Sequence, residues 1–200
     1  MEDLRDPLQA ERLEHEAPDE FLRRREFLQR TAMTAGSAAR RRIGVATLCH
    51  EVWINASTAK VYEAISTPAG IGAWWDEQTV THTHQGTVLE HSPGPEHGVV
   101  KMKVLDSTPN ERIEWECIST HPPSSPASAW TGTHIVFELA RRSVPPWAPE
   151  RVDMVVLNFR HSGWNEKSEY FGFCNFAWGQ VLQKLKEVCE PQAEPGQTHR

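Results

Sequence analysis

The groups in this 200-residue chain that could do chemistry are few and scattered. His161 ends the run "VVLNFRH", where strand alternation turns it to the same side as Phe159. An imidazole on an apolar side can donate or accept a hydrogen bond and titrates near neutrality. It either supplies the polar group of a binding cavity or bonds a backbone carbonyl and fixes the turn into the next helix. Asp76 follows Trp74 and Trp75 and is the carboxylate expected at the mouth of an apolar region. Glu114 and Glu116 alternate to the wet side of their strand. One histidine and one edge carboxylate are thin machinery for acid–base catalysis. The sequence also has no GxSxG elbow, no phosphate loop and no dinucleotide fingerprint. Catalysis is therefore disfavoured. Were it present, it would be a cyclase, dehydratase or hydrolase reaction on a hydrophobic substrate, run by His161 and Asp76.

A metal centre would start from "THTHQGTVLEH". His82 and His84 are two apart on a predicted strand and project to one face, and His91 or His97 could approach them. No carboxylate or cysteine completes a ligand spacing, so these histidines read as exposed groups near a turn, and no metal or other cofactor is expected. Cys49, Cys117, Cys174 and Cys189 lie far apart without a CxxC pair and read as buried free thiols.

Composition narrows the class. Hydrophobic content of 38% and charged content of 24% suit a globular domain, and a net charge of -6 disfavours general nucleic-acid binding. No stretch is long and apolar enough to cross a bilayer, and there is no internal repeat. Residues 1–42 are expected to be a flexible tail. Within them, Arg24-Arg25-Glu26-Phe27-Leu28-Gln29 resembles a twin-arginine export signal, but the apolar stretch that should follow is short and interrupted by Arg40 to Arg42. The expectation is a cytoplasmic protein, with twin-arginine export as the alternative. Residues 191–200 are expected to be a second flexible tail.

The elements that must position these groups lie between Ile43 and Glu190. "VATLCHEVWI" is a predicted strand, and Asn55 or Ser57 can cap the helix "STAKVYEAIS". Pro68 and Gly70 break that helix, and a short second one over "AGIGAWW" ends at Trp74-Trp75-Asp76. Strands follow over "EQTVTHTH", "GTVLEH", "VVKMKVLD", "ERIEWECI", "TGTHIVFEL" and "RVDMVVLNFRH". Ile113, Trp115 and Cys117 alternate against Arg112, Glu114 and Glu116, the mark of antiparallel sheet with one wet face. "THPPSSPASAW" and "RRSVPPWAPE" are loops. In the last helix, Phe171, Cys174, Trp178, Val181, Leu182, Leu185 and Cys189 fall within a sector of about 100°. This order predicts an α+β fold with a long C-terminal helix across the concave face of a curved antiparallel sheet of about six to seven strands. The helix is aliphatic towards Cys189 and aromatic towards Phe171. Phe173 and Phe176 fall outside the stripe and are expected to be covered by the tail or a loop, or to form a homodimer contact.

Two stretches carry a family resemblance. "INASTAKVYEAISTPAGIGAWWDE" resembles the opening of START-like, or SRPBCC, domains, and "FRHSGW" with "FAWGQVLQKLKEVCE" resembles their ending. The branch is that of the Hsp90 ATPase activator homologues. The matching residues include Thr67-Pro68, Trp74-Trp75, Phe159, His161, Gly163, Trp164, Trp178, Leu182, Leu185 and Lys186. The resemblance spans residues 45–190 and implies a helix-grip fold with an elongated apolar cavity between helix and sheet. The expectation is a binder of a small hydrophobic molecule in a cavity lined by Trp74, Trp75, Trp115, Phe137, Phe159, His161, Trp164, Phe171 and Trp178. Plain core packing is the competing reading of each ring. The alternatives at the level of function are a polyketide cyclase-like enzyme and a chaperone-associated partner protein, since some members of the branch stimulate a chaperone ATPase.

Overall fold

A computed structural model describes residues 44–84, 86–143 and 152–191. The tail and export expectations for residues 1–42, and the tail beyond Pro191, lie outside the described residues, as does most of the second proline-rich loop. Seven strands form one antiparallel sheet: β1 Val45–Ile54, β2 Thr79–Thr83, β3 Gly86–His91, β4 Val100–Thr108, β5 Arg112–Cys117, β6 His134–Ser143 and β7 Asp153–Asn165. Their spatial order is β1-β7-β6-β5-β4-β3-β2, so only β1 is placed by a long crossover. Helices α1 Thr58–Ser66 and α2 Pro68–Gly72 follow β1, and α3 Phe171–Cys189 ends the domain. This is the predicted α+β helix-grip architecture, a curved antiparallel sheet wrapped around the C-terminal helix. None of the described helices is long and apolar enough to cross a membrane.

Alternation explains the layers. β5 buries Ile113, Trp115 and Cys117 and leaves Arg112, Glu114 and Glu116 half-exposed on the outer face. There Arg112 bridges Asp106 and Glu114, and Arg160 meets Glu138 at 2.8 Å. Exposed ion pairs like these add little stability, typically under about 1 kcal/mol each. The inner face carries the core. One row of partners runs Leu48, His161, Ile135, Trp115 and Val104 across β1, β7, β6, β5 and β4. The next row runs His50, Phe159, Phe137, Ile113 and Ser107. These two rows form the floor under α3.

Three local expectations need correction. The first helix stops at Ser66, before Pro68, as expected, and Pro68 then opens α2 at a position where no backbone N–H is required; Thr67 caps it by accepting from the Gly70 N–H at 3.0 Å. Because α2 stops at Gly72, Trp74 and Trp75 sit in the turn after it rather than in a helix. The last strand does not end at His161 but continues to Asn165. Gly163, at φ +88°, forms a bulge there: Ala46 pairs with Trp164 while Thr47 pairs with Ser162. The bulge turns Trp164 inward, although simple alternation from His161 would put it outside. Third, the loop at "THPPSSPASAW" contains a 3-10 turn, Pro126–Ala129, which delivers Trp130 to the core.

Helix α3 buries Cys174, Trp178, Leu182, Leu185 and Cys189, the predicted stripe, with Phe171 and Val181 at its half-buried margin. Its C-terminal end is pinned: Glu190 accepts the Asn55 N–H at 2.8 Å, and Lys186 bonds both Glu190 and the Trp53 carbonyl. Phe173 and Phe176 are 59% and 66% exposed.

Candidate functional site

Above the floor, at the N-terminal half of α3, the predicted rings converge on Trp178. Its ring centre lies 4.6 Å from Phe159, 5.3 Å from Trp75 and 5.9 Å from His161. Trp75 in turn stands 6.1 Å from Trp115 with the planes 11° apart, and 6.1 Å from Trp74. Phe137 meets Trp115 edge-on at 4.9 Å. Trp164 and Phe171 form a neighbouring pair at 5.6 Å, joined to the cluster through His161, 4.9 Å from Trp164. All nine residues expected at the site therefore belong to one connected set. These separations are those of rings in contact.

Sequence reading missed Trp130. It stacks on Trp178 at 5.8 Å, touches Trp75 at 6.3 Å and stands edge-on to His161 at 5.4 Å. Its indole N–H reaches Cys174 Sγ at 3.4 Å. Its signal was a lone tryptophan ending a Pro/Ser-rich loop, a place where periodicity says nothing.

His161 is wholly buried, and both ring nitrogens are engaged. Trp178 Nε1–H donates to His161 Nδ1 at 3.1 Å. An indole only donates, so Nδ1 is the acceptor and the proton sits on Nε2. That N–H is 2.7 Å from Thr133 Oγ1, and the Thr133 hydroxyl donates to the Trp130 carbonyl. Burial lowers the His161 pKa to about 3, so the ring is neutral around pH 7.

A different histidine has an unused nitrogen. His91 is buried beside Trp75, ring centres 4.4 Å apart, and its Nδ1 has no partner among the described residues. Burial is the main cause that lowers its pKa to about 4; the charge of Asp76 opposes the shift and His121 adds to it. Trp115 Nε1 and Gln78 Oε1 are likewise buried without a partner among the described residues. Asp76 is half-buried, and with His91, Glu77, Thr79, Glu90, Ser92 and Val99 it lines an open cleft of about 510 Å³.

The histidines weighed as metal ligands separate. His82 pairs across the hairpin with Thr87, and its Nδ1 lies 3.1 Å from Thr87 Oγ1. His91 is four residues further along β3, about 13 Å at the rise of a strand. His82 and His84 are exposed, and His97 Nδ1 is bound at 3.0 Å to Ser125 Oγ. No cluster of three metal-ligating side chains occurs among the described residues.

Known proteins share this fold. The Aha1 dimer of Colwellia psychrerythraea superposes with a TM-score of 0.56 at 25% identity, over 74% of this chain and 99% of that one. Protein MLL2253 of Mesorhizobium loti follows at 0.55 and 20%, over 72% and 96%. CalU16 of Micromonospora echinospora gives 0.53 at 14%, over 74% and 78%, a likeness of fold alone. No functionally curated protein matches the chain. The sequence profile described as Activator of Hsp90 ATPase homolog 1-like protein matches residues 55–190, so the chain belongs to that family, a branch of the START-like, or SRPBCC, domains.

Proposed function

We propose that the protein binds one small, largely apolar molecule at the aromatic end of the helix–sheet interface. One observation carries the reading: two rings packed on Trp75, those of Trp115 and His91, bury polar atoms, Nε1 and Nδ1, that have no partner among the described residues. Each such atom costs about 1–3 kcal/mol while unpaired. A guest with a hydroxyl or carbonyl group would satisfy some of them and lay its apolar body on ring faces. In the described state the rings touch one another, so admission requires a ring to turn. Among the tryptophans of the cluster, Trp75 and Trp130 are the half-buried ones, and both stand outside regular helix or strand. The polar anchor in this reading is His91 rather than His161, whose nitrogens are already engaged.

The test is mass spectrometry of small molecules released on denaturing the purified protein, with 1-anilinonaphthalene-8-sulfonate as a titrating probe. The expected result is one apolar molecule per chain, and probe binding that weakens at least tenfold in folded Trp75→Ala. Release of nothing together with no probe binding overturns the proposal. Stoichiometric capture of a chaperone from extract, without any small molecule, favours the partner-protein alternative. A cyclase-like reaction finds less support, since His161 is neutral and doubly bonded.

A homodimer is the second reading. Phe173 and Phe176 form an exposed aromatic face on α3, and the Colwellia relative is a dimer. Sedimentation should show a dimer that Phe173→Ser with Phe176→Ser converts to monomer; a monomeric wild type ends this reading.

A further inference from the structure

The open cleft that His91 shares with the aromatic cluster carries a charge, and that charge narrows what the guest must be. Asp76, Glu77 and Glu90 line the cleft, and no lysine or arginine does. Glu90 is matched by Lys101 at 3.3 Å, whereas Asp76 and Glu77 have no ion-pair partner among the described residues. Asp76 Oδ1 accepts the Glu77 N–H at 3.0 Å, which orients that carboxylate and leaves Oδ2 without a partner among the described residues. Unmatched carboxylates on the wall of a cleft attract cations. Taken alone, they are only a solvated rim.

His91 makes the rim a site. It borders the same cleft, is 5% exposed, and its Nδ1 has no partner among the described residues. The charge of Asp76 is felt at this imidazole, so carboxylate and ring stand close together. His91 also packs on Trp75, with ring centres 4.4 Å apart, and so belongs to the cleft and to the aromatic set at once. The turn of Trp75 that admits a guest uncovers His91 in the same movement. With its hydrogen on Nε2, His91 accepts at Nδ1, as the Asp76 carboxylate does, and the group complementary to both is a positively charged N–H donor. A metal ion fits less well, since no three ligating side chains gather among the described residues.

We infer that the guest is an aromatic or aliphatic amine whose ammonium group lies in this cleft between Asp76 and His91, with its apolar body on Trp75. The inference rests on the binding reading above and adds the head group to it. An ammonium has three N–H donors: one serves Asp76 Oδ2, one His91 Nδ1, and the third stays in the water of the open cleft. Glu77 adds negative charge at the mouth without touching the nitrogen. Val99, 41% exposed on the rim, offers apolar contact beside the head group. The face of an indole ring also attracts a cation, so Trp75 favours an ammonium over a neutral group of the same size.

Three probes that share an indole body and differ in head group test this on the full chain by titration calorimetry: tryptamine, tryptophol and indole-3-acetate. Tryptamine should bind about tenfold more tightly than the neutral alcohol, with the carboxylate weakest, and added salt should shrink the difference. Asp76→Asn should bring tryptamine to the level of tryptophol while leaving tryptophol binding and the thermal midpoint nearly unchanged. Glu77→Gln, at an exposed position, should narrow the preference severalfold and keeps the test open if Asp76→Asn does not fold. Equal binding of amine and alcohol, or a preference that survives in folded Asp76→Asn, overturns the ammonium assignment and leaves the apolar site standing. Binding of none of the three overturns both.

Discussion

Trp178 gives its indole proton to His161, and that bond decides which imidazole nitrogen carries hydrogen. The chain from Trp178 through His161 and Thr133 to the Trp130 carbonyl then leaves no donor or acceptor unused. Buried polar networks of this kind are costly to interrupt, because the orphaned atom cannot reach water. Trp178→Phe keeps an aromatic body in place but strips His161 Nδ1 of its donor. Urea unfolding should show a loss of about 1–3 kcal/mol. No loss would mean that the bond contributes nothing net. His91 is the contrasting case: buried at the wall of an open cleft, with Nδ1 unpartnered among the described residues.

Among the elements, the bulge in β7 does more than its single extra residue suggests. Without Gly163 the strand would carry Trp164 to solvent; with it, Trp164 is fully buried. A side chain at Gly163 would meet the Thr133 Cα at 3.3 Å and would sit at a positive φ. Gly163→Ala should cost about 1–3 kcal/mol, read by denaturant midpoint and by Trp164 becoming more exposed to a fluorescence quencher. The loop that brings in Trp130 is tied down in its first half, by Tyr170 Oη–H to the Pro123 carbonyl at 2.9 Å and by His97 with Ser125 at 3.0 Å. Tyr170→Phe removes one tie at an exposed site. Amide exchange across residues 121–131 should quicken severalfold while global stability changes by less than about 1 kcal/mol.

For the molecule as a whole, burial of neutral histidines sets a pH dependence. The ordinary value is 6.5; in the fold His161 falls to about 3 and His91 to about 4. Between those limits the unfolded chain binds more protons than the native one, so acid favours unfolding. The contribution is complete above pH 6.5 and drains away as pH falls towards 4, by up to about 1.4 kcal/mol per pH unit for each histidine. Urea unfolding at pH 7 and pH 5 should show this fall, and His91→Gln should flatten it. A flat profile in the wild type would contradict the burial of both rings.

Much of this design was legible beforehand because it follows periodicity. Two-residue alternation in "ERIEWEC" and the 3.6-residue stripe of α3 report which side faces the core, since burying apolar area is what selects register. Those rules placed Trp115, Phe137, Phe159, His161, Phe171 and Trp178 on inward faces. They could not say that the rings would meet one another, that a proline-rich loop would add Trp130, or that a glycine would reverse the alternation at Trp164. Nor could they bring His121 Nδ1 to the carbonyl of His97, because hydrogen bonds between distant loops leave no trace in local pattern. The sequence by itself determined the element order, the wet and dry faces and the family. The tertiary structure alone decided which buried polar atoms find partners, because that depends on where separate elements cross in space.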